Sequence, residues 1–62
     1  MPAPHPIAAR IRWRDPHRRY PTEAVAVYPG ARPGEIRWIS ARTGVEHTAA
    51  PGTIAAVEVI AR

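Results

Sequence analysis

Hydrophobic and polar residues alternate along the chain in short runs, and the period is two rather than 3.6. From Ile7 to Arg14 the alternation is strict: Ile7, Ala9, Ile11 and Trp13 fall on one side, and Ala8, Arg10, Arg12 and Arg14 on the other. That spacing predicts a half-buried strand with an apolar inner face and a cationic outer face. Asp15 to Pro21 breaks the run and reads as a loop. Glu23 to Tyr28 is a second strand, nearly apolar on both faces, with Ala on one side and Val on the other. Two Pro-Gly steps follow between Pro29 and Gly34, each suited to a type II turn. Glu35 to Ala41 is a third strand, with Ile36 and Trp38 on one face and Arg37 and Ile39 on the other. Arg42-Thr43-Gly44 is a tight hairpin turn, and Val45 to Ala49 a fourth strand. Ala50-Pro51-Gly52-Thr53 is another turn, with Pro and Gly at its two central positions. Ala55 to Ala61 is a fifth strand, with Val57 and Val59 on one side and Glu58 on the other.

Composition supports this. The large aliphatics are all Ile and Val, which are stiff at χ1 and favour strands. Eight prolines and four glycines divide the chain into short pieces, and no stretch has both the length and the period of a helix. Five short strands in a 62-residue chain predict an all-β fold, a small five-stranded antiparallel barrel. Closure into a barrel would remove two exposed sheet edges. Residues 1–6 alternate Pro with other residues and are expected to form a flexible tail ahead of one domain over 7–62. With no cysteine, neither a disulfide nor a thiolate metal site is possible. No apolar run reaches the roughly 20 residues of a membrane-spanning helix, and no secretory signal is recognisable, so a soluble, cytoplasmic protein is expected.

The second half of the layout carries a resemblance. Trp38-Ile39-Ser40-Ala41-Arg42, then Thr43-Gly44, Pro51 and a Val-rich last strand, resembles the Src-homology-3-like barrel family. In that family a Trp opens the third strand, an Ala-Arg pair precedes the hairpin, and a Pro sits in the short turn before the last strand. The match covers roughly residues 7–61 in layout and is local in its motifs. The family's peptide-binding members carry a Tyr-rich motif where this chain has Trp13-Arg14-Asp15-Pro16, and a Tyr where it has Ile54. Their acidic first loop is replaced here by His17-Arg18-Arg19. The resemblance therefore implies the barrel rather than a proline-peptide groove, and leaves its Tudor-, KOW-like and small DNA-binding branches open.

Charge then narrows the functional reading. The net charge is +4, all of it in residues 1–21, where five arginines face one aspartate; the remaining four arginines are matched by four glutamates. Alternate residues of a strand stand about 6.6–6.8 Å apart on one face, close to the step between phosphates on an extended nucleic-acid strand. Arg10, Arg12 and Arg14 are therefore candidates to follow a phosphate backbone, with Arg18 and Arg19 extending the track and Tyr20 offering a ring for stacking. The alternative for the same stripe is a solvated face paired with glutamates. If the first and last strands adjoin, Glu58 answers one of the arginines.

Trp13 shares a face with Ile11 and is expected at the centre of the core. For Trp38, the neighbouring Ile36 argues for burial, whereas the family resemblance implies a ligand-facing ring. His5, His17 and His47 lack any metal-ligand spacing, and no cofactor is expected. Ser40, Asp15 and a histidine have no nucleophile turn around them, and a domain of this size is expected to be too small to enclose a pocket of a few hundred Å³. The expected function is a non-catalytic nucleic-acid-binding protein. The alternative is a protein–protein adaptor docking by a strand edge or the Trp38 surface.

Overall fold

The computed structural model describes residues 5–60. Five strands form one antiparallel sheet: β1 (Ala9–Trp13), β2 (Thr22–Pro29), β3 (Ile36–Ser40), β4 (Glu46–Ala49) and β5 (Ile54–Val59). Their order is β4-β3-β2-β1-β5, so the last strand returns to lie beside the first. No helix occurs among the described residues, and none is long and apolar enough to cross a membrane. The all-β, five-stranded antiparallel expectation holds. The sheet itself does not close, because β4 and β5 are its two edges, and "barrel" describes it only loosely. The predicted tail over 1–6 lies largely outside the described residues, as do Ala61 and Arg62. His5 is described and half-buried, with its ring beside the turn at Gly44.

Although open, the sheet is rolled. Ile11 of β1, Ala24 of β2, Trp38 of β3 and Ala49 of β4 form one buried cluster, against which Trp13, Val27, Ile36 and Ile54 pack. In a flat five-stranded sheet the edge strands would stand roughly 19 Å apart. Ala49 on one edge and Ile54 on the other meet the same cluster, so the sheet must bend around it. The alternation in β1 is as the sequence predicts: Ala9 and Ile11 are buried, Arg10 and Arg12 exposed, and Ile11 is fully inaccessible.

Two β-bulges depart from the sequence reading. Between Arg12 and Trp13 the pairing with β5 skips Ala55: Arg12 faces Ala56 and Trp13 faces Ile54. The extra residue twists the end of β1, and Trp13 is only half-buried, at the margin of the core it was expected to centre. Trp38, at 7% exposure, holds the central place instead. A second bulge falls between Ala24 and Ala26 in the β2–β3 pairing. It shifts the facing by one residue, so Ala24 and Val27 both meet the core, where strict alternation would have separated them.

The turns are mostly those expected. Glu35 N–H donates to Arg32 O at 3.0 Å and Thr53 N–H to Ala50 O at 3.3 Å, closing turns with Gly34 and Gly52 at positive φ. The Pro29-Gly30 step is different. Pro29 ends β2, and Gly30 does not adopt positive φ. The connection is organised by Glu35, whose Oε1 accepts from Ala31 N–H at 2.8 Å and Arg32 N–H at 3.2 Å. The carboxylate side chain crosses directly over Gly30, where an added Cβ would stand 2.5 Å from Glu35 Cγ and 2.8 Å from its Cβ. Gly30→Ala is therefore expected to displace Glu35 and strip two backbone donors of their acceptor. The loss should be about 1–3 kcal/mol, read from urea unfolding. A variant as stable as the parent would show that Glu35 does not organise this loop.

Candidate functional site

The arginine stripe lies on the outer face of β1, as the alternation requires, and its register decides its partners. Arg10 stands opposite Glu23 on β2 and Glu58 on β5. Its Nε is 3.9 Å from Glu23 Oε2, and Arg12 Nε donates to Glu58 Oε2 at 2.9 Å. Both pairs are about half exposed, so each contributes roughly 0–1 kcal/mol to stability. Their larger effect is on the field outside: two of the three positive charges each have a carboxylate beside them. Glu58 answers an arginine because β5 adjoins β1, as the layout predicted. Arg14 is engaged differently. Its Nε donates to Gly52 O at 3.1 Å and its Nη2 to Ile54 O at 3.5 Å, pinning the β4–β5 turn to the end of β1.

The loop between β1 and β2 keeps its charge. Asp15 Oδ1 accepts from His17 N–H at 2.9 Å and Asp15 O from Arg18 N–H at 3.0 Å, so the one acidic residue of the loop is used to fold it. Neither Arg18 nor Arg19 makes an ion pair among the described residues. The guanidinium of Arg18 lies over Trp13, 3.7 Å from the ring centroid, a cation–π contact. Arg19 is exposed, and Tyr20 is 82% exposed. Of the residues singled out from the sequence, Arg10 and Arg12 thus form one neutralised patch. Arg14, Arg18, Arg19 and Tyr20 belong to the end of β1 and the loop that follows it.

Beside that loop lies a cleft of about 310 Å³, lined by Trp13, Arg18, Trp38, His47, Thr48 and Thr53 among others. It is a half-open surface cleft rather than an enclosed cavity, formed where the rolled sheet brings the end of β1 near β4. Trp13 and Trp38 meet edge to face, with centroids 5.9 Å apart and planes at 65°. His47 stacks on Trp38 at 4.5 Å with planes 22° apart. The indole N–H of Trp13 donates to Thr22 Oγ1 at 2.7 Å, whereas the buried N–H of Trp38 has no acceptor. Trp38 is held by packing alone, at a desolvation penalty of about 1–3 kcal/mol.

No known protein family, characterised protein or solved structure matches this chain. The site is therefore read from its own chemistry. Ser40 is 8% exposed, and its Oγ accepts from the backbone N–H groups of Arg42 and Thr43, shaping the β3–β4 hairpin. Among the described residues, no three His, Asp or Glu side chains converge as a metal site would require. The residue missed by sequence reasoning is His47, considered only as a metal ligand or a triad member. Counting outward from the expected Arg42–Gly44 turn would set it opposite Ile39; in the structure Ser40 and Val45 close a loop that also takes in Ala41, and this one-residue shift brings His47 opposite Trp38.

Proposed function

We propose that this protein is a small, non-catalytic nucleic-acid-binding module that contacts the phosphate backbone through the arginines around the β1–β2 loop. The observation that carries the proposal is the separation of the arginines into two groups. Arg10 and Arg12 are answered by Glu23 and Glu58 respectively, while Arg18 and Arg19 have no carboxylate partner among the described residues, and Arg18 lines an aromatic cleft. Unpaired guanidiniums beside exposed rings suit a charged polymer that also offers stacking surfaces. The strand order also supports the Src-homology-3-like reading of the layout. A cytoplasmic setting, where nucleic acid is plentiful, accords with this role.

The second reading, a protein–protein adaptor, draws on the open sheet. β4 and β5 are free edges, and Val59 on β5 is 82% exposed. Salt separates the two readings. In a fluorescence-anisotropy titration with labelled oligonucleotides, binding should be measurable at low salt and weaken steeply as salt rises. An apolar strand-edge contact would respond little. Absence of binding to any DNA or RNA at low salt refutes the nucleic-acid proposal.

A further inference from the structure

We infer that the cleft lined by Trp13, Trp38 and His47 receives one unpaired base against the His47 ring, so that the protein prefers single strands to duplex. This rests on the nucleic-acid reading and goes beyond it, since phosphate contacts alone do not distinguish the two. The rings in the cleft form a column: Trp13 and Trp38 meet edge to face, and Trp38 stacks on a face of His47. The column stops at His47. One face of its imidazole is covered by Trp38, and the residue is otherwise exposed, so the second face is free to take another ring. Trp13 offers no such surface on its outer side, where Arg18 already lies 3.7 Å from the ring centroid.

The occupant is set by shape and charge together. At about 310 Å³ the cleft is at the lower limit of small-ligand sites, room for a single ring system with part of its attachment. Arg18 lines the cleft and Arg19 follows it in the chain, placing positive charge where the phosphates flanking an inserted base would run. Thr53 also lines the cleft, and its hydroxyl donates to Ala50 O at 2.6 Å, which leaves its oxygen as an acceptor. Every base carries at least one N–H donor on its pairing edge, so such an acceptor can meet any base and favours none. Stacking is equally tolerant, because every base has a π-face. In a duplex those faces are buried between neighbouring pairs, and a base reaches such a cleft only after unpairing, which costs a few kcal/mol. The preference for single strands follows, without marked sequence selectivity.

Both tryptophans of the chain line the cleft, so intrinsic fluorescence reports its occupancy directly. Oligo(dT) and oligo(U) should each quench the emission on binding, and their comparison shows whether a 2′-hydroxyl matters. A mixed-sequence duplex of equal length should bind at least about tenfold more weakly, with little quenching. His47→Ala should weaken single-strand binding by about tenfold and leave duplex binding unchanged. His47→Phe, which restores a stacking ring without an imidazole, should recover most of the loss. Circular dichroism of both variants checks that the sheet is retained. Equal affinity for duplex and single strand without quenching, or an unchanged single-strand affinity in folded His47→Ala, overturns this inference while leaving backbone binding intact. Absence of binding to any of these nucleic acids removes both.

Discussion

Trp38→Ala should leave the chain unfolded, or folded only marginally, at room temperature. Trp38 is the largest side chain of the buried cluster, at 7% exposure, and it supports Trp13 on one side and His47 on the other. Truncating such a residue costs about 3–5 kcal/mol. Removing its unsatisfied indole N–H returns part of that, about 1–3 kcal/mol. Yet the whole domain, at roughly 0.05–0.15 kcal/mol per residue, is stable by only about 3–9 kcal/mol. Trp13→Ala should be milder. The ring is half-buried, and its loss removes the bond to Thr22 but leaves Ile11, Ala24 and Ala49 in contact around Trp38. A folded protein with a lowered unfolding midpoint is expected. Thermal and urea unfolding followed by far-UV circular dichroism ranks the two. If Trp13→Ala is the more damaging, the centre of the core has been misplaced.

That ranking is where the sequence reading and the structure part. β1 was legible because its alternation is uninterrupted from Ile7 to Arg12, and one buried face leaves no freedom of register. The hairpin near Arg42–Gly44 was legible because turn chemistry and flanking strands agree, although its loop also takes in Ala41 and so shifts the register by one residue. The bulge after Arg12 was not, since an extra residue on the partner strand leaves no mark in the pattern of β1 itself. It moves Trp13 from the centre of the core to its margin. The bulge near Ala24 escaped for the same reason: EAVAV alternates in composition, and nothing local reveals where pairing slips. At Pro29-Gly30 the dipeptide suggested a turn, but the connection is set by the Glu35 carboxylate, five residues on from Gly30.

The candidate site was legible as a list of residues and not as an arrangement. The strand order implied by the layout was enough to bring Glu58 to the arginine stripe. Nothing local paired Glu23 with Arg10, which depends on the register across the irregular β1–β2 loop. The fold of that loop also puts Arg18 on Trp13, through an Asp15 turn whose outcome the sequence does not dictate. The consequence for function is that charge counted along the chain overstates the stripe and understates the loop.

Replacing both loop arginines should therefore have the largest effect on binding. Each phosphate contact removed flattens the dependence of log affinity on log salt by about 0.7–0.9. Arg18→Ala/Arg19→Ala should flatten it by about 1.4–1.8 on the same arithmetic. It should do so alike for unrelated sequences, because phosphates carry no sequence information. Both side chains are exposed, so the fold should be little affected. Arg12→Ala/Glu58→Ala removes an ion pair without altering net charge, and should leave the slope near the parent's. The measurement that tests the account most directly is this salt titration on a single-stranded oligonucleotide, run side by side on the parent and the two double variants. The account predicts a steep parent slope that is flattened by the loop variant and kept by the stripe variant. A loop variant indistinguishable from the parent, with the slope lost in the stripe variant instead, would contradict it.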